Sequence, residues 1–359
     1  MPLLILYRLG GVSLISFGVL LSSAQAQPTE SSLKVFNYTY SYTTVGGAAV
    51  TRTIPVKIYI PDAGTYTPGT ALPVVMYLHG AGERGNGIDV DGQPGVDSWA
   101  FSDSLQLIDR PAIYVAPRGI KDFLSTDPEF LENRARWGST APTDYGYDSQ
   151  GEFWLNDFGS TDTYDYRNVP VSASLRGALS LTDTLFTSPT FTNLIDNQAF
   201  TLPLVDTNRQ YITGWSSGGD GVWDAVTRHP GKYAAALPVS GVGDPGAFFG
   251  DHVVAGLSAQ PIRAFAGEND LPDQKSALAK MQTAFTNASA VGTTQQVAGA
   301  NHFTVSGAVF ADTEPDPDPT LLGNRNWMYA QSSPVILPEP SSMVLVLAGF
   351  LLLHRRRRA

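Results

Sequence analysis

The sequence predicts an α/β fold: a mostly parallel sheet flanked by helices, led by an N-terminal antiparallel hairpin. Three observations predict it. Short, continuous apolar runs recur along the chain, as in strands buried on both faces of a sheet. Segments with helical spacing of apolar residues fall between several of them, the alternation that crossover connections need. Two longer segments near the start alternate apolar and polar residues instead, and Gly46-Gly47 between them suits a hairpin turn.

The elements follow in chain order. Leu33 to Tyr42 and Val50 to Ile60 are the alternating pair, rich in Val, Ile, Thr and Tyr. Pro61-Asp62-Ala63-Gly64 is a turn cluster. Leu72 to Leu78 is the first buried-strand run, followed by Ala112 to Val115, Tyr211 to Thr213, Ala234 to Val239 and Ile262 to Ala266. Gly221 to Arg228 and Asp273 to Asn287 have helical patterns, the second with Leu278, Met281 and Phe285 at one-face spacing. Residues 119 to 200 hold few periodic runs and are rich in Asp, Thr, Ser, Tyr and Trp. A structureless loop of that length is uncommon in a compact domain, so this stretch is expected to be an insertion folded over the sheet's end, with a helix near Ser172 to Phe186.

Both ends read as processing segments. Residues 1 to 26 carry Arg8, an apolar run from Leu9 to Leu21 and the small-residue ending Ala24-Gln25-Ala26, the form of a signal-peptidase site. The alternative is a buried helix. At the other end Pro338-Glu339-Pro340 precedes an apolar run from Met343 to Leu353, then His354 and Arg355 to Arg358. Eleven helical residues span roughly 16 Å, about half a bilayer core. That suits a transient membrane segment with a basic cytoplasmic stop, although a simple tail anchor is the alternative. This tail resembles the PEP-CTERM sorting signal of bacteria that make extracellular polysaccharide, and the resemblance implies processing by an exosortase-type enzyme. The expected location is therefore the surface, outer membrane or matrix of a Gram-negative-type bacterium.

Residues 27 to 337 make one domain. Removing Arg8, Arg355 to Arg358 and Glu339 from the 23 basic and 33 acidic residues leaves 18 and 32, a net charge near −14. Such a surface repels nucleic acid and anionic lipid. The chain has no cysteine, which excludes disulfides, thiol chemistry and cysteine-ligated metals. Asn156, Asp157, Asp162 and Asp165 match no ordered calcium loop and read as a solvated acidic segment, so no metal site is expected.

The chemistry concentrates in Gly214-Trp215-Ser216-Ser217-Gly218. This G-x-S-x-G follows a strand and precedes a helix, the setting of a nucleophile elbow, where glycines relieve crowding and the serine oxygen stands above the sheet. Ser216 is the predicted nucleophile. His79-Gly80-Ala81-Gly82 leaves the Leu72 to Leu78 strand, and an oxyanion needs two backbone donors. Ser217 supplies one and Gly80 or Ala81 the other. Of the five histidines, His354 lies in the tail, His229 ends the elbow helix, His252 has no flanking strand and His79 is held away from the serine. His302, after Val297-Ala298, completes the chain order serine, acid, histidine. Asp270, just beyond the Ile262 to Ala266 run, is the first choice of acid, with Glu268 and Asp273 as near competitors.

Longer runs carry a family resemblance. Tyr77-Leu78-His79-Gly80-Ala81-Gly82-Glu83-Arg84-Gly85, the approach Asp206 to Gly214, and Trp223-Asp224-Ala225 through Ser240-Gly241 resemble secreted esterases. The group is that of poly(3-hydroxyalkanoate) depolymerases and feruloyl esterases, which includes predicted peptidases. The resemblance spans roughly 50 to 120 and 203 to 305. It implies an α/β-hydrolase fold and acyl-ester hydrolysis without a cofactor, on a small or polymeric ester. Ser217 stands where that group usually has Met, and the 119 to 200 stretch is longer than usual. Trp137 and Trp154 in that stretch, with Trp215 in the pentapeptide, are the aromatic candidates for substrate contact; the alternative is that the insertion's aromatics pack it onto the domain. A prolyl-peptidase-like serine peptidase and a non-catalytic sugar-binding protein are the rival functions.

Overall fold

The alternating N-terminal segments form the expected hairpin: β1 (Leu33–Thr43) pairs antiparallel with β2 (Ala49–Tyr59) along its whole length, from Leu33 opposite Tyr59 to Thr43 opposite Ala49. In this computed structural model the described residues are 33–44, 47–80, 111–119, 145–147, 153–155, 171–187, 190–242, 259–311 and 323–333. The five buried runs become β3 (Leu72–Leu78), β4 (Ile113–Pro117), β9 (Val205–Trp215), β10 (Ala235–Val239) and β11 (Arg263–Asn269), and a further, largely exposed edge strand, β12 (Thr293–Asn301), is not among them. Two short hairpins, β5 (Tyr145–Tyr147) with β6 (Phe153–Leu155) and β7 (Thr190–Thr192) with β8 (Ala199–Thr201), lie outside the main sheet. That sheet has eight strands in the order β1-β2-β4-β3-β9-β10-β11-β12. Only β2 runs against the rest.

The helices are α1 (Ala173–Thr187), α2 (Ser217–Arg228), α3 (Pro272–Asn287), α4 (Val305–Ala311) and α5 (Asn324–Tyr329). Side chains alternate across β3, so Val74, Met76 and Leu78 enter one core and Val75 and Tyr77 the other. The first core lies under α1, α2 and α3, through residues such as Leu181, Trp223 and Phe285. The second lies under α4 and α5, through Val305, Val309 and Met328. The predicted mostly parallel, helix-flanked sheet is therefore the fold.

Three elements differ from the sequence-based expectation. Strand β9 begins at Val205 rather than Tyr211, because Val205 already pairs with Leu72 before a register shift leads to Gln210 opposite Val74. Helix α2 begins at Ser217, four residues before the apolar periodicity starts. Part of the expected insertion is integral to the domain: α1 is the helix expected near Ser172 to Phe186, and its Leu175, Ala178, Leu181 and Leu185 are buried at helical spacing against the sheet, so it is a crossover helix between β4 and β9.

The last described residues return along the sheet. The Tyr211 hydroxyl donates to the Gln331 carbonyl at 3.0 Å, and the Ser333 N–H donates to the Asn208 carbonyl at 2.8 Å. Among the described residues no helix is long and apolar enough to cross a membrane. The N-terminal segment to Ala26 and the run Met343 to Leu353 lie outside the described residues.

Candidate active site

The chain leaves β3 for β4 on one side and returns to β9 on the other. Ligand sites in open α/β sheets lie beyond the carboxyl ends of strands at such a reversal. Gly80 follows β3, Ser216 follows β9, Asp270 follows β11 and His302 follows β12, so all four stand past the carboxyl ends of strands in one sheet. Ser216 sits at φ 55°, ψ −121°, a conformation that bulky residues rarely adopt. Its N–H donates to the Val239 carbonyl at 2.9 Å. The flanking glycines make this turn possible. A Cβ at Gly214 would lie 2.6 Å from the Gly218 carbonyl, and one at Gly218 only 1.8 Å from the Leu78 oxygen.

His302 Nε2 lies 2.9 Å from Ser216 Oγ, and its Nδ1 lies 2.7 Å from Asp270 Oδ1. Asp270 Oδ1 also accepts the Leu271 N–H at 2.8 Å, while Oδ2 accepts the Gly267 N–H at 3.1 Å and the Ser240 hydroxyl. Because the carboxylate accepts at Nδ1, that nitrogen carries the proton and Nε2 presents its lone pair to the serine. Burial pushes the Asp270 carboxyl up, but His302, Ser240 and the two amides more than offset this and hold it at about 2, below its ordinary 3.8. Of the competing acids, Glu268 instead accepts the Gly299 N–H at 2.8 Å, bracing β11 to β12, and Asp273 lies in the first turn of α3.

The depressed Asp270 value carries a pH consequence. Folding favours its ionised form, so the contribution is complete above 3.8 and is lost as pH falls towards about 2. Asp270→Asn is therefore expected to flatten the loss of stability across that window. Urea midpoints measured between pH 2 and 5 for both proteins check this, and parallel curves would contradict it.

The fold has solved counterparts. A thermostable esterase superposes with a TM-score of 0.50 at 19% identity, over 82% of this chain and 63% of that protein, so the chain spans less than two thirds of that esterase's length. A ferulic acid esterase (TM-score 0.45, 12% identity, 78% of this chain and 96% of that one) is also similar. So is an S-formylglutathione hydrolase from Staphylococcus aureus (0.41, 12%, 77% and 96%). No family model and no curated protein matches the chain. The fold is that of the α/β-hydrolases.

In the α/β-hydrolase frame the remaining expectations can be placed. Ser217 opens α2, so its amide belongs to the first-turn N–H groups that face out of the helix end. Gly80 lies against the Trp215 indole, where a Cβ would come within 2.7 Å of ring carbons. Ala81 and Trp137 lie outside the described residues, as do His252, His354 and the acidic stretch from Asn156 to Asp165; of Trp154 only the backbone, in β6, is described. His79 is buried and structural: its Nε2 accepts the Gly119 N–H at 2.8 Å, so Nδ1 donates to the Gly80 carbonyl at 2.7 Å. It thereby ties the exits of β3 and β4 together. His229 caps α2 away from the site.

Trp215 does more than flank Ser216. Its Nε1 donates to the His302 carbonyl at 2.8 Å, and its ring lies 5.4 Å from the imidazole. Phe303 packs edge-on to both rings and is 77% exposed at the rim. Sequence reasoning missed Ser240 and the Val239 carbonyl. The sequence signal was a serine-glycine pair directly after a fully buried strand, but its left-handed backbone is set only by tertiary packing.

Proposed function

We propose that this chain is an exported serine carboxylesterase that hydrolyses acyl esters, with Ser216 as nucleophile, His302 as base and Asp270 as acid. The observation that carries the reading is the continuous hydrogen-bonded line Asp270–His302–Ser216, at 2.7 and 2.9 Å, above the sheet's carboxyl end. His302 Nε2 takes the proton from Ser216 Oγ as that oxygen attacks the ester carbonyl. The carbonyl electrons move to an oxyanion facing the amides of Ser217 and of the Gly80–Ala81 turn. Collapse expels the alcohol, which receives its proton from His302 and leaves an acyl-Ser216. Water then gives a proton to His302, attacks the acyl carbon, and releases the carboxylic acid as the proton returns to Ser216. Asp270 stays a carboxylate throughout and stabilises the imidazolium.

The end segments support export, with removal of residues 1 to 26 and sorting through the 338 to 359 tail. They point to an ester outside the cell: an acetylated or feruloylated polysaccharide, or a polyester. The test is hydrolysis of p-nitrophenyl acetate and methyl ferulate by the purified protein, with labelling by a fluorophosphonate. Cleavage with label on Ser216 supports the reading. Neither cleavage nor label would sink it.

A further inference from the structure

We infer that Ser240 is a positioning residue for Asp270, a fourth member of the hydrogen-bonded line. The inference rests on the esterase reading of the Ser216–His302–Asp270 site. A carboxylate offers about four acceptor positions. Here all four are met: Oδ1 by His302 and the Leu271 amide, Oδ2 by Ser240 and the Gly267 amide. Two of the four donors are backbone, so Ser240 is the side chain that fixes Oδ2 while His302 uses Oδ1. The pair sets the rotation of the carboxylate, and with it the direction in which Nδ1 is held.

The backbone of Ser240 argues that the hydroxyl has a use. Ser240 lies at φ 48° and is 1% exposed. Glycine adopts that conformation without strain, whereas a serine there carries a penalty. Strained conformations of this kind persist where the surroundings over-determine them, and they cluster at active sites. The surroundings here are specific. The Ser240 N–H donates to the Phe265 carbonyl at 2.7 Å. Val239, before it, accepts the Ser216 N–H at 2.9 Å. Gly241, after it, lies against Gly219, where a Cβ would meet backbone at 2.3 Å. The Val242 N–H donates to Asp220 of α2 at 2.7 Å. One short turn at the exit of β10 thus holds the nucleophile, the elbow helix and the acid in a single frame.

The test compares Ser240→Gly and Ser240→Ala, each alone and with Asp270→Asn. Loss of one hydrogen bond to a charged group predicts a fall in kcat on the order of 10-fold or more in both single variants, with KM held within about twofold. Ser240→Gly is expected to melt no lower than Ser240→Ala, because it relieves the backbone. With Asp270→Asn present, the same substitutions should change kcat by less than about threefold, since the partner is already altered. Proton NMR supplies a readout free of turnover: the downfield His302 Nδ1–H resonance should move in Ser240→Gly. The inference is overturned if Ser240→Gly keeps kcat within about twofold, if the loss is equal in both backgrounds, or if the resonance stays put. An unaltered protein with no esterase activity would fail the esterase reading instead, and the resonance would still decide the role of Ser240.

Discussion

Ser216→Ala is expected to lower kcat/KM towards p-nitrophenyl acetate by roughly 10³- to 10⁶-fold, the range seen when a triad nucleophile is removed. The substitution deletes the oxygen that lies 2.9 Å from His302 Nε2 and leaves the backbone amides of the turn in place. Binding should survive, so the loss should appear in kcat with KM nearly unchanged. His302→Ala should cost a similar factor, and the double variant little more, because the two groups act as a unit. A loss below about tenfold in Ser216→Ala would remove Ser216 from the chemistry. Stability should move the other way in a second substitution. Ser216→Gly relieves a positive φ of 55° and is expected to raise stability by about 1 kcal/mol while abolishing turnover.

Gly218→Ala is expected to be the most damaging small substitution at the elbow. The added Cβ would sit 1.8 Å from the Leu78 oxygen and 2.4 Å from its carbonyl carbon. Both are backbone atoms of a central strand, so no side chain can swing aside. Either α2 lifts off the sheet or β3 shifts, and either move exceeds about 4 kcal/mol, the range reserved for a few drastic mechanisms. The melting temperature should fall by roughly 10 °C or more, or the protein should fail to fold. Gly307→Ala in α4 is the matched control. Nothing lies within 4 Å of its added Cβ, and helix propensity predicts a gain of about 0.5–1 kcal/mol. Thermal melts of the two variants side by side check the contrast.

Much of this architecture is legible in the sequence because strands buried on both faces must be continuously apolar. Leu72 to Leu78 could be read to the residue for that reason. Ser216 and Asp270 could be picked out because each stands just past such a run, where a parallel sheet gathers loops at one end, and His302 because it completes the chain order after them. What could not be read depends on partners far along the chain. Strand β9 reaches back to Val205 because that residue pairs with Leu72 across a register shift, and nothing local says so. The helix α1 could be placed to within a residue, but its role as a crossover packed on the sheet could not, because its apolar stripe is only four residues deep. Ser240 was invisible for a further reason: its function lies in a backbone angle and a hydroxyl contact thirty residues away in sequence.

The hydrogen bond between Ser333 and Asn208 has a mechanical consequence. Ser333 is bonded to Asn208 at the start of β9, and Ser216 stands past that strand's far end. Eight residues of extended chain separate them, roughly 26 Å. Leu33 opens β1, which runs in the same direction as β9, so it too starts at the pole remote from the triad. A pull applied at Ser333 would therefore enter the sheet at the start of β9, at the end remote from Ser216 and His302. Such a load would run along the strands rather than through the Asp270–His302–Ser216 line.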